Sequence, residues 1–358
     1  MHILIASVLV LFSGFDPPFL PPVEGIGVET SFQGARAFAM GGAGAGVPDS
    51  NSVSIYNPAA SAWAGATGLT WGLAGSYGDD SNWSDNTSFP HISIVFPVPY
   101  GLTLSGSLST RSRLSTSTTF SHEGMVGTGD WSGGLTEGYF GLTTRAGNGI
   151  AFSLGSRSTF GSIRGEIQSH SDSLSGPFIK VSNYVDDAVL DPAGGLLFGT
   201  FWRAGVFNLG LSICTDRTGT LRIQRDMGSQ QPDTTLSYTI PGDFTAGFSM
   251  RPHRRLLVAA DYYQRKRLSL LGATVEPGNI VSGGIEYSAF RNVRLRAGVS
   301  RTDGMWRDGA LRYTTGIGLS FGGGRASLDL SGGYETWGDG FSETTVYATL
   351  WASENWLK

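Results

Sequence analysis

The stretch "NVRLRAGVS" (Asn292–Ser300) alternates without a break. Val293, Leu295, Ala297 and Val299 share one parity; Arg294, Arg296, Gly298 and Ser300 share the other. Successive side chains of a β-strand point to opposite faces, so this segment reads as a strand with one apolar and one polar face. "LRYTTGIGLSF" (Leu311–Phe321) and "RASLDLSGGY" (Arg325–Tyr334) repeat the pattern.

Working outward, fourteen such segments follow one another, near 67–77, 89–97, 101–119, 131–145, 149–162, 194–203, 206–216, 238–251, 254–266, 279–289, 292–302, 311–321, 325–336 and 342–352. No amphipathic helix stands out among them. Their connectors alternate in length. Short ones are "PVPYG", "AGNG", "RAGV", "RPHR", "AFRN" and "GGGR"; long ones include "GDDSNWSDNTS", "SHEGMVGTGD", the stretch 163–195 and "TDRTGTLRIQRDMGSQQPDTT". Tight turns on one rim and long loops on the other predict an all-β fold: a 14-stranded antiparallel transmembrane β-barrel, its short turns and both chain ends on the periplasmic side.

A soluble β-sandwich also alternates, but its inward face is apolar. Here the polar face carries Arg157, Asp261, Glu286, Arg294, Arg296, Arg312 and Asp329. That is too much charge for a dry core, and it suits a wet lumen. Tyr100, Trp202, Tyr262, Tyr287, Tyr334 and Trp351 lie near strand ends, where interfacial girdles form. Composition agrees. Charged residues are 15 % of the 358, against roughly 25 % in soluble domains, while no run after the first residues is apolar enough to span as a helix. A net charge of −4 gives no reason to expect nucleic acid.

"GARAFAMGGAGAGVPDSNSVSIYNPAA" (Gly34–Ala60) interrupts the strand pattern before it begins. A phosphate loop needs a preceding strand, a following helix and usually a Lys, none of which is present. Ile55, Tyr56 and the alanines after Pro58 call for burial, which a flexible linker would not provide. A compact Gly/Ala-rich segment can lie close against surrounding walls, and a fourteen-strand barrel has room for one.

The run Gly-Ala-Arg-Ala-Phe-Ala-Met-Gly-Gly-Ala-Gly, an Asp shortly after it, and then Asn-Pro-Ala resemble the N-terminal region of the FadL family of outer-membrane transporters of long-chain fatty acids and other hydrophobic compounds. The PorV-type barrels of a secretion system share this opening. "YTIPGDFTAGFSMRP" (Tyr238–Pro252) also looks like a family strand. The resemblance implies an N-terminal plug, or hatch, at 25–66 inside a barrel at 67–358, with Asn57, Pro58 and Ala59 as its Asn-Pro-Ala motif and Arg36 as a bond from hatch to wall. It also implies ligand entering between the long loops and leaving sideways beside a kink in the third strand, where Gly106 stands. The chain departs from the transporters in being short and in lacking a clear helical hairpin among its loops. The alternative role is that of a secretion-system or cargo-shuttle component with a protein partner.

Ile3–Phe12 is an apolar run of signal-peptide length followed by Ser13 and Gly14, so 1–14 is expected to be a signal peptide. Arg157, Arg294 and Arg296 are expected to point inward as ligands for a carboxylate, or else to pair with Asp261, Glu286, Asp329 or Glu137. Asp79, Asp80, Asp85, Asp186 and Asp187 are loop acids without metal-ligand spacing. Lone Cys214 has no His in a recognisable frame, and no nucleophile motif appears, so neither an enzyme nor a cofactor is expected. The expected partners are outer-membrane lipid and a hydrophobic small molecule such as a fatty acid.

Overall fold

The computed structural model describes residues 28–29, 34–48, 55–78, 86–122, 125–171, 180–226, 234–266, 268–270, 273–275, 277–303, 309–338, 340 and 342–357. The expected signal peptide and the acids Asp79, Asp80 and Asp85 lie outside them. The strands, in chain order, are β1 (Val28–Glu29), β2 (Gly68–Gly78), β3 (Asn86–Val98), β4 (Leu102–His122), β5 (Met125–Ala146), β6 (Ile150–Ser171), β7 (Lys180–Ala204), β8 (Phe207–Cys214), β9 (Arg217–Asp226) and β10 (Thr234–Ile240). They continue with β11 (Asp243–His253), β12 (Leu256–Arg265), β13 (Leu268–Leu270), β14 (Ala273–Val275), β15 (Gly278–Phe290), β16 (Val293–Asp303), β17 (Ala310–Phe321), β18 (Ala326–Trp337) and β19 (Ser342–Ser353).

Fourteen of these close an antiparallel barrel: β2 to β8, β11, β12 and β15 to β19, with β19 pairing back onto β2 from Ser353↔Gly68 to Glu343↔Gly78. β9 continues β8 past a break at Thr215–Asp216, and β10 leads into β11 across Pro241–Gly242. β9 pairs with the upper half of β7 and with β10, so the wall rises past both breaks. β13 and β14 form a separate two-stranded ribbon.

The wall is inside out relative to a soluble sandwich. Along β8, Phe207, Leu209, Leu211 and Ile213 are exposed, while Asn208, Gly210, Ser212 and Cys214 are buried. Ser93, Thr103, Ser105, Ser107, Thr143, Ser249 and Ser300 are buried in the same way on other strands, and Ile94, Phe152, Phe198, Leu295 and Tyr334 face out. Apolar outside and polar inside is the pattern of a barrel in lipid. Of the expected girdle, Tyr100, Trp202, Tyr287 and Tyr334 are exposed; Trp351 is not, because its parity on β19 matches inward Thr349 and Tyr347.

The strand ends move in one region. The stretch 163–193 reads as a loop in the sequence, but β6 climbs to Ser171 and β7 begins at Lys180, pairing from His170↔Lys180 to Ile150↔Trp202. β5, β6 and β7 have 22, 22 and 25 residues, twice the ~9–11 that a membrane span needs. Between Leu190 and Gly194 the register shifts, and the buried parity changes from Leu197, Gly199 and Phe201 to Ala188 and Leu190, so a single alternation cannot be followed along β7.

Candidate functional site: a plugged lumen and an interrupted wall

Residues 34–48 and 55–66 lie inside the wall, towards the short turns. A five-residue helix, Ala35–Ala39, opens the plug, and its buried face, Ala35 and Phe38, packs on Ala74 and Tyr347. Its start is held by the wall: Ala35 N donates to Thr349 Oγ1 at 2.7 Å and Gly34 N to the Tyr347 hydroxyl at 3.3 Å. Thr314 then stitches the helix end, donating to Ala39 O at 3.1 Å and accepting from Gly41 N at 3.0 Å.

Two glycine pairs let backbone meet backbone. Gly41 has φ +72, and a Cβ there would strike the Val299 carbonyl oxygen at 2.5 Å; a Cβ on facing Gly298 would overlap Gly41 N. Gly46 and Gly247 face each other in the same way. This is what the Gly-rich run provides: no side chain could stand in either gap.

Between these contacts, the Asp261 carboxylate on β12 accepts from Gly44 N and Ala45 N, both at 2.6 Å, and from Gly46 N at 3.4 Å. Asp261 therefore serves the plug and is not an arginine's counter-ion. Asn57 Nδ2 donates to Ala45 O at 2.9 Å, within the plug, and to Thr200 O at 3.1 Å, in the wall; its Oδ1 accepts from Ala59 N at 3.3 Å and starts the 3-10 turn Pro58–Trp63. Pro58 O accepts from Ser61 and, at 3.4 Å, from Thr143 on β5. Ala59 is fully buried beside Ala151 and Phe201. Arg36 reaches the wall with two bonds to Glu286, at 3.0 and 3.2 Å.

Glu286 also accepts from Arg296 Nε at 2.8 Å, and Arg296 Nη1 bonds Asp329 at 2.6 Å. So Arg296 points inward but is taken up by carboxylates. Arg294, two residues back, is half-buried near the short-turn rim and makes no ion pair among the described residues. The structure does not bring Arg157, Arg294 and Arg296 into one site.

Arg157 belongs to a second group, further from the short turns. Glu137 accepts from Arg157 at 2.6 Å and Arg217 at 2.8 Å, and pairs with Arg111; Asp243 pairs with Arg157 at 2.8 Å and Arg217 at 3.4 Å. Among the described residues, three arginines thus face two carboxylates, all buried. Arg157 Nε and Arg217 Nε have no hydrogen-bond acceptor among the described residues. The plug touches this layer through Tyr56, whose ring meets Tyr263 edge-on at 5.2 Å. Burial, and then the Glu137 carboxylate, holds the Tyr56 hydroxyl well above its ordinary pKa, so it stays neutral.

The wall is interrupted at one seam beside this layer. β3 pairs with β4 from Val98↔Leu102 to His91↔Ser109, and there the ladder ends. β3 goes on to Asn86 against β2, and β4 goes on to His122 against β5, with a register shift at Arg111. On the edge of β4 that β3 leaves, Val28 and Glu29 pair with Arg113 and Ser112. Gly106 lies three residues short of the break, in register with Ile94 and Phe140 on either side and facing outward beside them.

Arg111, Arg217 and Asp243 were not singled out by sequence. Arg111 sits in the register shift, and Arg217 and Asp243 each open a strand just after a break. Period-two parity cannot be carried across such points.

No family model matches the chain, and no curated protein matches it by sequence. Solved structures do match. The monoaromatic hydrocarbon channel CymD superposes with a TM-score of 0.63 at 14 % identity, over 90 % of this chain and 97 % of that one. The Pseudomonas putida toluene transporter TodX gives 0.61 at 16 %, over 94 % and 100 %. A Pseudomonas aeruginosa FadL homologue gives 0.66 at 12 %, over 91 % and 99 %. With its fourteen strands, its filled short-turn end and these matches along nearly its whole length, the chain has the fold of the FadL- and TodX-type channels.

Proposed function

We propose that the chain is a bacterial outer-membrane channel that passively carries hydrophobic compounds, long-chain fatty acids among them, from the long-loop side into the membrane through its own wall. In this reading residues 1–14 are a signal peptide, 25–66 the hatch and 67–358 the barrel. The supporting observation is a filled lumen beside an interrupted wall. The plug is bonded to the barrel through Asp261, Asn57, Thr314 and Arg36, whereas β3 and β4 part company after Ser109. A hydrophobic molecule that enters the lumen has a shorter way out sideways, into lipid, than through the plug into water. Gly106, on the outer face of β4, leaves that approach uncrowded.

The substrate class is supported by the proteins that share the fold, which are described as hydrocarbon channels, a toluene transporter and a FadL homologue. The extension to fatty acids is supported by the buried layer of three arginines over two carboxylates. A substrate carboxylate would take the free Nε–H groups of Arg157 and Arg217. None of those matches supports the secretion-system alternative.

The test is uptake by cells that lack their own hydrophobic channels and express the full chain. Radiolabelled oleate and toluene should both accumulate faster than in cells with an empty vector. Toluene uptake alone removes the fatty-acid part; no gain for either, with the barrel folded in the membrane, removes the transporter.

A further inference from the structure

The two ends of the barrel treat arginine differently. At the long-loop end exposed arginines are paired: Arg164 with Asp187 at 3.9 Å, Arg222 with Asp191 at 2.6 Å and Arg301 with Asp303 at 2.8 Å. At the short-turn end they are not. Of the six short turns, five carry exposed arginine: Arg145 at β5–β6, Arg203 at β7–β8, Arg254 and Arg255 at β11–β12, Arg291 at β15–β16 and Arg325 at β17–β18. Among the described residues none of the six forms an ion pair, and Glu354 is the sole acid exposed on this rim.

These cations sit beside exposed apolar residues on the same turns. Phe290, 73 % exposed, precedes Arg291, and Trp202, half exposed, precedes Arg203, whose guanidinium lies over the Trp63 ring of the plug at 4.9 Å; Tyr100, on the one turn without arginine, is 98 % exposed. An aromatic ring at the hydrocarbon edge puts the next residue at the depth of the headgroups. Guanidinium forks match phosphate oxygens in pairs. The charge also runs round five turns of the circumference and is not gathered on one side. A single docked protein would touch only an arc of such a ring; a lipid annulus touches all of it.

We propose that the short-turn rim is a binding ring for anionic glycerophospholipid headgroups of the leaflet on that side. It takes from the proposed function only the orientation, short turns towards the periplasm. The ring would seat the barrel at a fixed depth, with the plug level with the phosphates.

The probe is native mass spectrometry of the full chain in mild detergent, titrated with phosphatidylglycerol or with phosphatidylcholine of the same acyl chains. Phosphatidylglycerol should bind more tightly, by on the order of tenfold. The triple variant R254Q/R255Q/R291Q should lose most of that preference, and R254K/R255K/R291K should keep much of it, which separates charge from folding. R164Q/R222Q, at the other end, should behave as the parent. Equal binding of the two lipids by the parent overturns the proposal. So does an equal loss in R164Q/R222Q, or an acidic protein retained from the membrane that R254Q/R255Q/R291Q alone releases while lipid binding stays level. No uptake is read in this assay, so a barrel that transports nothing can still rank the lipids, and one that transports can fail to.

Discussion

The carboxylate of Asp261 accepts the backbone N–H of Gly44 and of Ala45 at the same 2.6 Å from a strand more than two hundred residues away. One side chain thus fixes the middle of the plug to the wall. Asp261→Asn keeps the shape but loses the charge and one acceptor oxygen. Hydrogen bonds to a charged group contribute about 1.5–3 kcal/mol each, so local opening of the plug should become easier by about 2–3 kcal/mol. Hydrogen exchange read by mass spectrometry checks this: amides 44–46 should lose protection while the barrel strands keep theirs.

Asn57 joins both halves of the plug and the wall at once, through Ala45 O and Thr200 O. Asn57→Ala takes their partner from the buried Ala45 carbonyl, the part-buried Thr200 carbonyl and the buried Ala59 N–H. Each such group costs about 1–3 kcal/mol. The plug segment at 55–66 should become sensitive to added protease in the variant and stay resistant in the parent, with strand content unchanged by circular dichroism.

The buried ion layer predicts an asymmetry. Removing Arg111 takes one arginine from Glu137; removing Glu137 takes a partner from all three arginines and leaves Arg157 and Arg217 to share Asp243. Breaking a buried pair costs about 3–5 kcal/mol because the remaining charge is stranded, and Glu137 is the carboxylate that all three arginines share. Glu137→Gln should therefore lower the thermal midpoint well below that of Arg111→Met. Equal midpoints would mean that water or an ion balances the layer.

The wall was legible in the sequence because lipid on one side and water on the other force a period of two, as Val293 to Ser300 show. The plug was legible because its glycines are needed where Gly41 meets Gly298 and Gly46 meets Gly247. What escaped lay where a period has no phase. Arg111 sits in a register shift, Arg217 follows a break, and β7 changes its buried parity across the shift between Leu190 and Gly194. Asp261 shows a further limit. Its inward position was readable, but its partners are backbone amides, which no sequence pattern announces. Arg294 and Arg296 share parity, yet only Arg296 lies deep enough to meet Glu286 and Asp329.

A side chain placed at a glycine contact should push the plug out without harming the wall. Gly298→Val sits on β16, where valine suits the strand, but its Cβ would overlap Gly41 N. Conductance in a planar bilayer checks this: the parent should give small or no steps, and Gly298→Val long-lived openings of porin size. Unchanged conductance would mean that the plug shifts within the lumen rather than leaving it.

The seam gives the last prediction. Glu29 pairs with Ser112 on the edge of β4 that β3 has left, so the double variant Glu29→Cys, Ser112→Cys places two cysteines opposite each other across a strand pair, within disulfide reach. Native Cys214 is buried and can be replaced by Ser to keep the chemistry single. Oxidised, the pair pins the N-terminal strand across the break. If substrate leaves through the seam, uptake should fall severalfold on oxidation and recover with dithiothreitol, while either cysteine alone responds to neither. If oxidised and reduced barrels carry substrate equally, the exit lies elsewhere, and the break between β3 and β4 is a resting place for the N-terminal segment.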